Sequence, residues 1–295
     1  MLKNLNKKAI LYFIFAWFNF SLMEVTAKYL SLKYPIFEVI WIRFLSQLIV
    51  LTIIFFPSIR NKINTQSLYL HISRGMCLFF AALFFFIGFT KTDLANATAV
   101  YKSSPIFLTL GAIIFLKEKN FLAIKFFTVF LAIIGTLIII NPSSNSFSLY
   151  SFFPLLAAIS LAIFGLITRY FGDRENPFTS LIYTALTGTI LSSFLLFFID
   201  LKPLLFEDIK FFILIGIVST LGHFLLIKAF QLEEASNLAS FSTLVIVFNT
   251  FWGILLFSEY PTVNFYIGSI LIILSCIILF RNIKNEKKFV LTTEK

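Results

Sequence analysis

The charges that fall in mid-membrane within the apolar stretches of this chain are Glu24, Lys28, Arg43, Arg74 and Lys102. A charge at the centre of a hydrocarbon layer costs roughly 2.5–3.5 kcal/mol on insertion scales, so each is expected to be paired or to face a wet cavity used for function. Their charges sum to +3. That sign suits a ligand carrying a carboxylate, with the single acid placed to meet an amino group. Ser21, Glu24, Lys28 and Ser31 recur at helical spacing and share a face. Glu24 and Lys28 form an i,i+4 pair in the favoured order. The pair reads either as an internal salt bridge or as part of a substrate site, and Lys28 lies near enough to a span end to snorkel.

Arg43 lies about 10 Å into its span at a rise of 1.5 Å per residue, level with Glu24 across a hairpin. It is expected to pair with Glu24 or to face the cavity. Lys102 belongs to the stripe Thr98, Lys102, Pro105, Thr109, in which Pro105 removes a backbone donor and frees a carbonyl. Discontinuous helices of that kind line transporter sites. His71 reads as interfacial, one turn before Arg74. His223 shares a face with Gly216 and Thr220 and is open to two readings, a proton relay because histidine titrates near neutrality, or a packing histidine. Asn96, Asn237 and Asn249 can bond substrate or hold helices together. Glu118 and Glu259 stand at span ends, where they are expected to cap or anchor helices.

The elements that must position these groups are membrane helices. Ten apolar stretches of about 20 residues, the length a hydrocarbon core requires, cover approximately 9–30, 36–56, 68–90, 94–115, 121–140, 149–171, 178–199, 209–230, 235–257 and 262–281. They divide into two halves of five, and an odd count per half places the halves in opposite orientations. Of 295 residues, 59% are hydrophobic and 13% charged, with mean hydropathy +0.94, which excludes a soluble domain with a polar shell. The N-terminal apolar run, with no small-x-small cleavage pattern, reads as a retained helix. Connectors and the span ends beside them carry sixteen Lys/Arg on one side and four on the other. Both termini are therefore expected in the cytoplasm, in a multi-pass protein of the inner or plasma membrane. The +10 charge is accordingly a topology signal and implies no nucleic acid. Cys77 and Cys276 lie within spans without metal-ligand spacing, so neither a metal nor a cofactor is expected.

Shifting the chain by 141 positions brings Gly75 onto Gly216, Asn96 onto Asn237, Thr109 onto Thr250, Glu118 onto Glu259 and Asn141 onto Asn282. Lys28-Tyr29 falls on Arg169-Tyr170. In this pattern the chain resembles the drug/metabolite transporter superfamily and its EamA-type members. The resemblance is carried by Leu94-Ala95-Asn96-Ala97-Thr98-Ala99 with Ser104-Pro105-Ile106-Phe107 and Phe115-Leu116-Lys117-Glu118. It extends to Glu234-Ala235-Ser236-Asn237 with Leu256-Phe257-Ser258-Glu259, and to Ala27-Lys28-Tyr29, Trp41-Ile42-Arg43 and Ser73-Arg74-Gly75. One departure is Ile246, which stands opposite Pro105. Phe37-Glu38-Val39, His71-Ile72-Ser73-Arg74-Gly75 and Leu226-Ile227-Lys228-Ala229-Phe230 resemble the branch that includes S-adenosylmethionine carriers.

The resemblance implies an all-α membrane protein of ten transmembrane helices in two inverted five-helix repeats, 1–141 and 149–282, followed by a tail over 283–295. The expected function is secondary transport of a small polar, carboxylate-bearing metabolite by alternating access, as a monomer or homodimer in the bilayer. A proton or counter-substrate is the candidate coupling partner. Expected substrate contacts are Glu24, Lys28, Arg43, Arg74, Lys102, Asn96, Asn237 and His223. A channel or receptor is the alternative. An intramembrane lipid-modifying enzyme is disfavoured, because no paired carboxylates or His/Asp pair fall within the spans, and no Walker sequence is present to bind ATP.

Overall fold

The computed structural model describes residues 7–56, 64–104, 106–108, 111, 122–140, 149–171, 175–232, 242, 244–275 and 277–278. Among these the regular elements are all helical. In chain order they are α1 (Lys7–Ser31), α2 (Ile36–Phe55), α3 (Leu68–Lys91), α4 (Leu94–Tyr101), α5 (Leu122–Ile140), α6 (Phe153–Phe171), α7 (Pro177–Leu195), α8 (Ile209–Leu232), α9 (Leu244–Phe257) and α10 (Val263–Ser275). Six segments among the described residues, built on α1, α2, α3, α6, α7 and α8, are long and apolar enough to cross a membrane. The chain is a multi-pass membrane protein. Large apolar side chains such as Ile53, Phe130, Phe194 and Leu255 cover its outside, as lipid-facing surfaces require.

Short turns set the helix order. Tyr34-Pro35 ends the first hairpin, with the Tyr34 N–H closing onto the Leu30 carbonyl at 2.9 Å and Pro35 preceding α2. Asn176 caps α7 by accepting from the Phe178 N–H at 2.9 Å, with Pro177 at the first helical position. The fourth span is interrupted. α4 stops at Tyr101, Lys102 and Ser103 form a turn, and helical residues resume at Ser104 and 106–108. The break lies one turn before Pro105, whose missing N–H could not have bonded the Tyr101 carbonyl.

Packing alternates between the halves. α1 lies along α8 and α3 along α6; α2 packs on both α7 and α8, and α7 also on α3; α4 meets α9, while α1 meets α9 and α4 meets α6. Exchanging the first five helices for the last five maps this set of contacts onto itself. The correspondence reaches individual side chains. A Cβ on Gly75 would stand 2.7 Å from Cβ of Thr187, and one on Gly216 would stand 2.7 Å from Cβ of Ser46. Gly216 and Thr187 lie 141 positions beyond Gly75 and Ser46. Gly135 and Gly268, which are not at the repeat offset, meet at their backbones where α5 crosses α10. Small residues at such crossings let helices approach closely enough for dispersion contacts to hold them in lipid.

Each end of the bundle carries a polar clamp. At one end, Asp208 accepts from Lys33 Nζ at 2.7 Å and from the Tyr34 hydroxyl at 2.9 Å, which itself accepts from the Leu205 N–H at 3.1 Å. The bond to Asp208 raises the Lys33 amine above its ordinary value. At the other end of α2, Glu175 accepts from Thr65 at 2.9 Å and lies 3.4 Å from His71 Nε2. Burial would push the Glu175 carboxyl up, but bonds from Thr65, His71 and Ser67 outweigh it and hold the group low. Tyr34 and Glu175 are again 141 apart, as are Ser67 and Asp208.

Candidate functional site

The stripe on α1 and the interrupted α4 face each other across α9. Asn249 of α9 is the hub. Its Nδ2 donates to Glu24 Oε2 and, at 2.6 Å, to Thr98 Oγ1; its Oδ1 accepts from Ser21 at 2.7 Å. Glu24, Ser21, Thr98 and Asn249 are all buried. The amide thus ties α1, α4 and α9 together and holds the carboxylate in one orientation. Sequence reading had left Asn249 open between substrate and helix contacts; here it serves the helices and fixes Glu24.

Two cations approach Glu24 without bonding it. Arg43 of α2 and Lys102 at the α4 break both interact with it electrostatically, but neither comes within 4 Å among the described residues. Arg43 Nε donates to the thioether of Met23 at 3.1 Å and its guanidinium lies 4.3 Å from the Phe44 ring centre. Its NH1 has no hydrogen-bond partner among the described residues. Lys102 Nζ sits 3.3 Å from the Trp17 ring centre and 5.0 Å from that of Tyr101, also without a hydrogen-bond partner. Both side chains are almost fully buried, at 2% and 1% exposure. Gln47, one turn beyond Arg43, is buried with both ends of its amide unpartnered. Sequence reading missed Gln47 and Trp17. Their spacing from Arg43 and Glu24 along one helix face was the available signal.

The other candidates have different surroundings. Of the two readings of the Glu24–Lys28 pair, the internal salt bridge does not form. Lys28 is buried and pairs with Glu259, whose Oε2 also accepts from the Leu94 N–H at 3.0 Å at the start of α4. The reason lies in how α9 ends. Ser258 takes a left-handed conformation, φ 54°, and the Glu259 N–H bonds the Gly253 carbonyl at 3.0 Å. This closure reaches back six residues, one more than the six-to-one bond of a Schellman motif, and it carries the carboxylate onto Lys28. Glu259 therefore anchors helices as expected, and Lys28 does not snorkel.

Arg74 brackets three helices, donating to Thr168 at 2.7 Å, Thr184 at 2.8 Å and the Ser180 carbonyl at 3.2 Å, and stacking on Phe164. His71, expected at the interface, is buried and stacked on Tyr183. His223 Nδ1 lies 2.9 Å from the Ser219 carbonyl and its ring meets Phe20 edge-on. Asn96 donates to Asp93 at 3.2 Å near the start of α4, leaving its Oδ1 unpartnered. Asn237, Pro105, Thr109, Glu118 and Cys276 lie outside the described residues. No group of three or more metal-ligating side chains occurs among those described.

The EamA-like transporter family matches residues 7–141 and again 148–281. The chain belongs to this family. It is a membrane transporter, not an enzyme. Among curated proteins it is 30% identical over 277 residues to the S-adenosylmethionine uptake transporter of Rickettsia felis, covering 92% of each chain. It is 27% identical over 288 residues to the pseudopaline exporter of Pseudomonas aeruginosa, with 96% of this chain and 100% of that one aligned. The riboflavin transporter of Brucella anthropi matches at 28% over 226 residues, 75% of this chain and 79% of that one. One solved crystal structure superposes with a TM-score of 0.66 at 16% identity, covering 92% of this chain and 94% of the other, a likeness of fold alone.

Proposed function

We propose that this EamA-family chain is a secondary carrier that moves a small polar, carboxylate-bearing metabolite, an amino acid or an S-adenosylmethionine-like zwitterion, across the inner or plasma membrane by alternating access. The observation that carries this reading is the pair of buried, incompletely bonded cations beside one oriented acid. Arg43 and Lys102 converge on Glu24 between α1, α2, α4 and α9, leaving positive charge for a carboxylate and an acid for an amino group. Arginine can grip a carboxylate through two parallel charge-assisted bonds. Lys28, Arg74, Asn96 and His223 are engaged by other protein groups and act as supports rather than contacts. The named relatives handle substrates of differing chemistry, one by uptake and one by export.

The same reading has ten crossings in two inverted five-helix repeats, 1–141 and 149–282, with both termini cytoplasmic. Supporting it are the sixteen-to-four distribution of basic residues and the contacts that interchange at the 141-residue offset. The two end clamps, one per face, are then the gates that open in turn. Purified protein screened by thermal shift against amino acids, nucleosides and S-adenosyl compounds tests the substrate class, since a ligand bound only by the folded state raises its stability. Arg43→Gln and Lys102→Gln are expected to remain folded and inserted but to lose that stabilisation. Normal binding by both would place the site elsewhere. Saturable counterflow in vesicles separates a carrier from a channel.

A further inference from the structure

The Lys102 ammonium occupies a box in which it touches aromatic faces, and Glu24 acts on it only at a distance. Its Nζ lies over the Trp17 ring, 3.3 Å from the centre, and over the Tyr101 ring, 5.0 Å from the centre, and among the described residues no acceptor bonds its N–H groups. The box is rigid. Trp17 is wedged edge-on by Phe13 at 5.9 Å and by Phe20 at 5.2 Å, and Tyr101 is stacked on Phe85 at 4.6 Å. Cation–π attraction holds an ammonium there, and strengthens as water is removed. Yet a primary ammonium carries three donors, and each one left unbonded in a buried site is costly. A sulfonium or quaternary ammonium centre carries positive charge with no donor to satisfy. Chemically, the box is better matched to such a centre than to the lysine that fills it.

We propose that Trp17 and Tyr101 form the onium subsite of the transport cavity, that Lys102 fills it in the empty carrier, and that a substrate's sulfonium or quaternary ammonium group displaces the lysine on binding. This rests on the carrier reading above and deepens it. The displaced ammonium swings toward the carboxylate end of the substrate, where Arg43 already presents an unbonded NH1. One lysine thereby couples recognition of both charges of a zwitterion. Trp17 and Glu24 are seven residues apart on α1, about 10 Å at helical rise, so the subsite and the polar cluster can contact opposite ends of one small molecule.

The test uses a matched pair of ligands, S-adenosylmethionine and S-adenosylhomocysteine, which share the nucleoside and amino-acid groups and differ by the sulfonium methyl. Wild-type protein is expected to bind the sulfonium about tenfold more tightly than the thioether, in line with a desolvated cation–π contact. Trp17→Phe is expected to keep most of that ratio and Trp17→Leu to reduce it to about twofold. An unchanged ratio in Trp17→Leu overturns the proposal while leaving the carrier reading intact. A second measurement needs no knowledge of the substrate. Tetramethylammonium, against sodium at equal ionic strength, is expected to raise the melting temperature of Lys102→Met but not of Lys102→Met/Trp17→Leu. Equal response of the two variants overturns the subsite. Stabilisation of Lys102→Met alone, with no binding of any carboxylate-bearing ligand by wild type, supports the subsite and removes the carrier reading of the substrate.

Discussion

Asn249 concentrates three buried hydrogen bonds in one side chain, and its loss is felt in proportion. Interhelical hydrogen bonds in membranes average about 0.6 kcal/mol each, so Asn249→Leu is expected to cost roughly 2 kcal/mol. Glu24→Gln keeps an acceptor for the same amide and is expected to cost less, while removing the acid from the site. Unfolding in mixed micelles ranks the two; a larger loss for Glu24→Gln would mean that the carboxylate charge, not the amide hub, holds the cluster. Ser258 gives the opposite sign. A non-glycine residue at φ 54° carries about 1–2 kcal/mol of strain that glycine does not. Ser258→Gly is therefore expected to raise the melting temperature and keep Glu259 on Lys28, whereas Ser258→Val is expected to lower it.

At the scale of helices, close approach is set by glycines that face a neighbour's backbone or branched side chain. A Cβ on Gly216 would stand 2.8 Å from the backbone carbon and oxygen of Ser46, which cannot move without shifting α2. Gly216→Ala is expected to destabilise by about 1–3 kcal/mol, the range for overpacking. Thermal unfolding checks it, and an unchanged midpoint would show that α2 and α8 can separate freely. The interruption of α4 is the other decisive element. It turns Lys102 out of the helical register and over Trp17, so the position of the cation follows from where the helix stops.

The whole molecule joins two halves through matched contacts, and its end clamps belong to opposite faces of the bundle. On the proposed topology, with both termini in the cytoplasm, a cysteine introduced after Asn145 is expected to react with an impermeant reagent from outside, and one introduced after Arg174 is not. The reverse pattern would invert the topology. Acid acts on the Glu175 clamp with a definite sign. Its carboxyl is held below the ordinary value, so the stability it contributes is complete above the unfolded pKa of about 4.3 and is lost as pH falls through the folded one. Wild-type protein is expected to lose melting temperature on that acid limb, and Glu175→Gln to show a flatter one. Parallel curves would remove Glu175 from the clamp's energetics.

Apolar runs of membrane length, buried charges among them and the 141-residue repeat were legible without coordinates, because lipid forces every backbone group into helices and penalises each charge it encloses. Local sequence also announced the helix break near Pro105. Partners were not legible. Glu24 and Lys28 sit at ideal spacing on α1, yet Glu24 bonds Asn249, 225 residues away, and Lys28 pairs with Glu259, 231 residues away. Spacing along one helix states only which groups can meet. Which of them do meet depends on how α9 lies against α1 and on the turn at Ser258, and both are products of packing between the halves. The ring beneath Lys102 is likewise a tertiary fact, since Trp17 and Lys102 come together only when α1 and α4 are assembled around α9.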